Sequence, residues 1–511
     1  MFTKFSHTGE VATQDELLFT TPFGYMFPDA AHSSSRLLPN SPETLPALKQ
    51  LGDAMATDVV ANPNDSGIPA VFTYFGQFID HDLTARTDRD STISTLGRGE
   101  PVNPRNPDEV TASLRNGRRP QLDLDSVFGD GPSLAAGSTT ESDDLYDADL
   151  RLVVFNPAGR RDVPRDTANR SARIADSRND ENPNISALHC AFLLFYNKIY
   201  DAQVAGTPAC KHVRARQLTR WAYQYVVVQD YLAKVCDLAV VIDTLANGPR
   251  FYGNSAGPGQ TFMPLEFSTA AFRFGHTMIR PRYQLNGATP ALDVMKILGP
   301  SQGLNNDPTQ SNPDFFDDAD PVKYQLKPSV TLDFNFFTGT SANVQFARKV
   351  DSNIAAGLGD LPLGTRRDDP ILGHLAKSNL VRGYSLSVPS AQACCEAMGV
   401  KPMTLSEMAD TMNGESAAVA QILTTTALGQ RTPLWYYILR EAGAQAGGEH
   451  LGELGSRIVC ETIIGSLKSD PNSYLNANDL AVTPSGVDVG GKVIGTLTDL
   501  INHSGAGPVG P

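Results

Sequence analysis

Between Ile68 and Thr84 the chain reads IPAVFTYFGQFIDHDLT, and six residues of it, 77–82, hold an amide, two carboxylates and an imidazole: Gln77, Asp80, His81 and Asp82. An imidazole can take and return a proton near neutral pH, and a carboxylate can hold a hard cation. The surrounding pattern predicts a helix. Pro69 suits a first turn, and Val71, Phe75, Phe78 and Ile79 form an apolar stripe at helical spacing. At about 100° per residue, Gln77, Asp80 and His81 share one sector while Asp82 points well away from it. Gly76 leaves little bulk beside the triad, so a large flat group could approach the backbone there. One helix thus shows a polar triad to one side and a lone carboxylate to another, which suggests two different ligands.

Four other stretches carry residues of the right chemistry. In QLDLDSVFGDGP, residues 121–132, Asp123 and Asp125 lie two apart in a segment ending in Gly129 and Gly131. An EF-hand is excluded, because Val127 and Phe128 stand where it needs an oxygen ligand and a glycine. Two carboxylates with nearby carbonyls still suit a hard cation, and equally a solvated turn. In IADSRNDE, residues 174–181, Arg178 and Glu181 precede a strong helix that Asn182 can cap and Pro183 can open. By itself that pair reads as a surface ion pair. His276, in PLEFSTAAFRFGHTMIRP, has Arg273 three residues earlier on the same helical face. His276 and His189 both read, by themselves, as core histidines. Finally, LAKSNLVRGYSLSVPSAQ, residues 375–392, brings Asn379 and Arg382.

The elements that must position these residues are mainly helical. Ile185, Leu188, Phe192, Phe195, Tyr196 and Ile199 give a buried stripe to a helix over about 182–204, and Trp221, Tyr225, Val228 and Leu232 another over 214–239. Residues 264–281 read as a helix bracketed by prolines. Leu48, Leu51, Met55 and Val59 hint at a short helix within 1–67, a segment otherwise rich in Pro, Ser, Asn and Gly. Residues 86–120 read as a long polar surface loop, and 484–511 as a frayed, flexible tail.

Composition sets the class. With 41% apolar and 19% charged residues the chain fits a globular enzyme, and 511 residues allow up to about three domains. A formal charge of −14 argues against nucleic-acid and anionic-membrane partners. No run reaches a membrane span, and the first residues lack the apolar core of a secretory signal, so a cytoplasmic location is expected. Six cysteines without CxxC spacing read as buried free thiols. Nothing here sets the oligomeric state.

GQFIDHDLT resembles the distal-helix signature of the animal-type haem peroxidases, the peroxidase–cyclooxygenase superfamily. The resemblance continues in order through the Asp123/Asp125 loop, the Arg178/Glu181 segment, FRFGHTMI around His276, Asn379, and the closing blocks TPLWYYILREAG and SRIVCETIIGSL. It spans roughly Ile68 to Leu467 and implies one large, mainly α-helical catalytic domain, 68–483, with 1–67 packed on it. It also implies a b-type haem between two helices. His81 would lie over the iron, Gln77 beside the peroxide or halide pocket, and Arg178 would be the catalytic arginine. His276 would ligate the iron, with Asn379 hydrogen-bonded to its other ring nitrogen and Arg273 and Arg382 directed at haem propionates. Asp80 and Glu181 could form esters with haem methyl groups. Some relatives add a sulfonium bond from a methionine after that glutamate; Asn182 cannot make one. A calcium site would use Asp82, Asp123, Asp125 and the carbonyls of Arg119 and Gln121, although many relatives have Thr in place of Arg119 and Ser in place of Asp125.

The implied activity is reduction of hydrogen peroxide with oxidation of a small donor, a halide, thiocyanate or phenol. Two alternatives stand beside it. Oxygenating members that act on fatty acids carry a tyrosine three residues before the iron-ligating histidine, where this chain has Arg273. A haem-free, calcium-bound interaction protein would have no need of His81, Arg178 and His276.

Overall fold

The computed structural model describes residues 21–56, 65–85, 102–134, 138–155, 161–203, 205–253, 261–298, 315–317, 319, 323–339, 342–361, 371 and 373–506. Helices dominate, and strands are few and short. One buried apolar cluster runs through the chain from Phe23 to Ala506. The His81 helix, Val71–Leu83, lies in its middle. Phe75 and Phe78 on that helix are fully buried against Phe192 and Tyr223. Phe78 stacks on Phe192 with ring centroids 4.6 Å apart. Burying each phenyl contributes roughly 1.5–3 kcal/mol, and the aromatic pairing up to about 1.5 kcal/mol more. The helix is therefore anchored on its apolar side, which leaves the opposite side to carry function.

The partner helix, Pro183–Ala202, starts as its sequence predicts. Pro183 stands at the first turn, and the Asn182 side chain accepts from the backbone N–H groups of Asn184 and Ile185. Ile185, Leu188, Phe192, Phe195, Tyr196 and Ile199 are all buried.

Several expectations are corrected. Pro69 does not open the His81 helix; it ends a strand, Asp65–Pro69, that pairs antiparallel with Phe346–Arg348 and feeds the helix two residues later. The helix expected over 214–239 is Pro208–Val226, then a π-helical turn, Val227–Tyr231, then Leu232–Val235. Near that wide turn, Tyr231 meets the His81 helix: a Cβ on Gly76 would lie 2.5 Å from the Tyr231 hydroxyl. The room at Gly76 is taken by that phenol rather than left for a flat ligand. The element around His276 is broken at Ala270, where φ is −131°, into the helix Leu265–Thr269 and a 3₁₀ turn, Ala271–His276. Three residues per turn place Arg273 and His276 directly in line.

Part of the expected loop 86–120 is ordered as the helix Pro107–Ser113, capped by Asn106, followed by the strand Arg115–Asn116; residues 86–101 lie outside the described residues. That strand, Thr21–Gly24 and Met263–Pro264 form a small sheet with Thr21–Gly24 in the centre. In the N-terminal segment, the helix Thr44–Met55 buries Leu48, Leu51 and Met55, while Val59 lies outside the described residues. Residues 484–506 are not a loose tail. They supply the strands Gly486–Asp488 and Val493–Ile494 and the helix Leu497–Ser504, whose Leu497, Leu500 and Ile501 are buried. Their Gly and Pro content makes tight turns between apolar residues that still reach the core. Among the described residues, no helix is long and apolar enough to cross a membrane.

Candidate active site

Partly exposed polar side chains on the inner elements outline a candidate cleft. Gln77, Asp80, Arg178, Glu181, Arg273, His276 and Arg382 are each partly exposed, whereas their neighbours Phe78, Ile79 and Phe274 are fully buried. In the sector predicted for Gln77, Asp80 and His81, the first two are partly exposed and His81 is buried.

On the first side of the cleft, His81 is held from behind. Its Nδ1 lies 2.9 Å from Asn179 Oδ1, leaving Nε2 4.0 Å from Glu181 Oε2. Gln77 Nε2 donates to the same Glu181 oxygen at 2.8 Å. Asn182, besides capping its helix, donates from Nδ2 to Gln77 Oε1. Asp80 Oδ1 accepts from the Thr84 hydroxyl. Burial first, and the Arg178 charge second, hold the His81 imidazole below its usual 6.5, so the neutral ring is favoured.

Arg178 does not stand alone. Its guanidinium is fastened to Asp176 and donates from Nη2 to the His81 carbonyl at 2.9 Å. Arg118, which the sequence reading passed over, meets Asp176 from the other side and donates from Nε to the same carbonyl at 3.1 Å. Although burial opposes it, the two guanidiniums hold Asp176 well below the usual carboxylate range. Asp176 and Arg118 were missed because their only local signal was an arginine run and an Asp two residues before Arg178. Their meeting depends on chain segments 58 residues apart.

On the far side of the helix, Asp82, Asp123 and Asp125 present carboxylate oxygens within 4.8 Å of one another, all buried. Leu122 and Leu124 have φ of 51° and 58°, a left-handed conformation costly for leucine, and together they curl the loop around Asp82. The backbone N–H of Leu124 and the Ser126 hydroxyl donate to Asp82. Arg119 Nε lies 3.2 Å from Asp123, and Arg118 Nε lies 3.5 Å from Asp125. The Arg119 carbonyl accepts from the N–H of Gln121, and the Gln121 carbonyl from the side chain of Gln224, so both expected carbonyls also have partners within the protein. Burial and then Asp123 push Asp82 up to about 6, and burial pushes Asp125 well above the carboxylate range. Asp125 Oδ1 is buried without a hydrogen-bond partner. Three buried carboxylates under that stress are a donor set that fits a hard cation.

On the second side of the cleft, Asn379 on the helix Leu375–Ser385 reaches His276, with Nδ2 2.8 Å from Nδ1, and Asn379 Oδ1 is left buried without a partner. Turning that amide by 180° lets Nδ1–H donate to Oδ1, and only this arrangement leaves the Nε2 lone pair available to a metal. Burial first, then Arg273 and Arg382, lower His276 to about 3, so the ring is neutral, as a ligand must be. Arg273 is steadied by donation from Nε to the Ser268 carbonyl, and Trp435 donates to the Arg273 carbonyl.

The chain belongs to the animal haem peroxidases: the family model for the animal haem peroxidase domain matches residues 108–422. It is 26% identical to human eosinophil peroxidase over 287 residues, 45% of this chain and 39% of that protein. It is 27% identical to dog thyroid peroxidase over 219 residues, 36% of this chain and 22% of that one. The chain thus spans less than half the length of these curated relatives. Its fold is shared with peroxidase A of Dictyostelium discoideum, with a TM-score of 0.61 at 15% identity over 99% of this chain and 98% of that one. An Oryza sativa fatty acid alpha-dioxygenase shares it too, with a TM-score of 0.58 at 15% identity over 99% and 88%. At such identities the structural likeness shows the fold alone.

The family's prosthetic group is haem, and the chemistry of the residues present fits one. A Cβ added at Gly275 or Gly383, next to His276 and Arg382, would meet no atom within 4 Å, so open space adjoins both residues. A nitrogen ligand, two arginines for carboxylates and a flanking apolar shell suit an anionic metalloporphyrin.

Proposed function

We propose that the protein is a haem-dependent peroxidase that reduces hydrogen peroxide and oxidises a small donor, a halide, thiocyanate or phenol. The observation that carries this reading is a shared construction: His81 and His276, on separate elements, each have Nδ1 engaged by an asparagine, which leaves Nε2 of both outside that bond. One imidazole can then serve as metal ligand and the other as proton carrier.

Haem, when bound, would supply the redox chemistry between peroxide and the donor. The protein's part is to hold and to move protons. His276 would hold the iron, with Asn379 orienting the ring and Arg273 and Arg382 available to pair with the propionates. His81 Nε2 takes the proton of the approaching peroxide and returns it to the departing oxygen. The Arg178 charge, fixed by Asp176, stabilises negative charge as the O–O bond lengthens. Gln77, held by Glu181 and Asn182, borders the place where a small donor would enter.

Asp82, Asp123 and Asp125 bind calcium, a reading supported by an all-oxygen side-chain set without thiol or imidazole. Asp80 and Glu181 lie on two elements and would form up to two esters with haem methyl groups, each link replacing a methyl C–H bond and consuming one peroxide as two-electron oxidant, which leaves as water. Asn182 offers no sulfonium link, so the haem should be a milder oxidant, suited to iodide, bromide, thiocyanate or phenols above chloride. Arg273, flanked by Phe272 and Phe274, puts no phenol three residues before His276, which speaks against fatty-acid oxygenation.

The test is the absorption spectrum of purified, haem-loaded protein. A Soret band that shifts on peroxide addition and returns with iodide or a phenol supports the reading. Oxygen uptake with a polyunsaturated fatty acid and no added peroxide would point to the oxygenase instead.

A further inference from the structure

We propose that Asn179, itself held by His189, is a positioning residue that fixes His81 with its protonated Nδ1 turned inward and its Nε2 lone pair presented to the cleft. This rests on the reading of His81 as the proton acceptor for peroxide, and it adds what makes that ring an acceptor.

The three side chains form one buried line. Asn179 Oδ1 lies 2.9 Å from His81 Nδ1, and Asn179 Nδ2 lies 3.0 Å from His189 Nδ1. Asn179 and His189 are 0% exposed and His81 is 5% exposed. An amide oxygen only accepts, so the facing His81 nitrogen must carry the proton. In a neutral imidazole the other nitrogen then has a lone pair and no proton. That other nitrogen is the one on the Glu181 side.

The amide orientation and the two ring tautomers are linked along this line. With Asn179 Oδ1 accepting from His81, Asn179 Nδ2 is the donor facing His189 Nδ1, and the His189 proton then lies on Nε2. His189 lies within the helix Pro183–Ala202 with its ring edge against Phe78. Asn179 lies on the short turn Ser177–Asp180, which is fastened at one end by Asp176 and at the other by the buried pair Arg165–Asp180. Neither end of the line is free to swing. With the amide reversed, N–H would face His81 Nδ1, the His81 proton would move to Nε2, and the ring could give a proton to the cleft but could not take one.

The test uses haem-loaded protein carrying ¹⁵N-imidazole histidine, held diamagnetic as the ferrous carbonyl complex. The chain has nine histidines, and His81→Gln identifies the His81 signals by their loss. The wild type should show the His81 proton on Nδ1. Asn179→Ala should give a mixture of tautomers, and Asn179→Asp, which keeps an acceptor there, should restore Nδ1–H. At one fixed pH, cyanide association with the ferric protein, in which hydrogen cyanide gives up its proton, should slow about tenfold or more in Asn179→Ala. A wild-type His81 protonated on Nε2 would overturn the inference without recourse to any variant. So would Asn179→Ala with unchanged tautomer and cyanide rate beside a slowed His81→Ala. If His81→Ala itself leaves the cyanide and peroxide rates unchanged, the underlying reading of His81 fails, a distinguishable result.

Discussion

Arg118 Nε donates to the main-chain carbonyl of His81 at 3.1 Å, and the same nitrogen lies 3.5 Å from Asp125. One buried guanidinium therefore spans from the carboxylate cluster to the backbone of the histidine that faces the cleft, and its Nη2 continues to Asp176 and so to Arg178. Replacing it leaves Asp125 without its nearest buried guanidinium and Asp176 with Arg178 alone, and such losses cost roughly 3–5 kcal/mol. Arg118→Met should therefore destabilise the protein by about that amount in urea unfolding and slow the peroxide reaction without removing haem. A variant as stable and as active as the parent would show that the bridge is not what holds Arg178.

The carboxylate cluster gives a second prediction. Asp82 is adjacent to His81, so emptying the site leaves three crowded buried carboxylates on the far side of the helix that carries the proton-carrying ring. Chelation, or Asp123→Ala combined with Asp125→Ala, should lower thermal stability and peroxide reactivity together, and calcium alone should restore the chelated protein. Active protein found by elemental analysis to hold no calcium would contradict this.

How far these residues could be read from the sequence depended on the range of the interaction. The His81 helix, the cap at Asn182 and the buried stripe of Pro183–Ala202 follow from spacing within one turn or two, and local physics decides them. Gly76 was misread because its space is filled from Tyr231, some 155 residues later, at a π turn that no periodicity announces. The carboxylates of the cation cluster were legible because two of them sit in one loop; Arg118 and Asp176 were not, since a buried ion pair between distant loops looks like two surface charges. The 484–506 segment was misread because turn-rich composition resembles a frayed end until Leu497, Leu500 and Ile501 find the core.

A pH prediction comes from Glu266, which is fully buried and accepts from the N–H groups of Met26 and Phe27. Burial raises its carboxyl from 4.5 to about 7. A raised carboxyl binds its proton more tightly when folded, so its contribution is favourable below pH 4.5 and is lost as pH rises through about 7. Glu266→Gln lacks this loss. From pH 4.5 to pH 8 the parent should therefore lose roughly 3 kcal/mol of stability relative to the variant. Glu441, raised to about 7 as well, remains in both proteins and cancels in the comparison. Parallel stability curves would contradict the assignment.

Haem attachment is the next measurable consequence. If Asp80 and Glu181 form esters during turnover, Asp80→Val and Glu181→Gln should each remove one link, and only the double variant should release its haem freely into acidified organic solvent. Full extraction from the parent after peroxide treatment would count against both esters. Glu181→Gln also removes the carboxylate that Gln77 donates to, so its donor specificity should shift while its haem stays bound through Asp80.

The central claim is that His81 is the group that moves the proton in peroxide reduction, and rapid mixing of haem-loaded His81→Ala with peroxide tests it most directly. The variant should keep the resting Soret band of the parent, because His276 and Asn379 are untouched, and its peroxide-induced spectral change should be about a hundred- to ten-thousand-fold slower. A variant that keeps the resting spectrum and reacts at the parental rate would contradict the account.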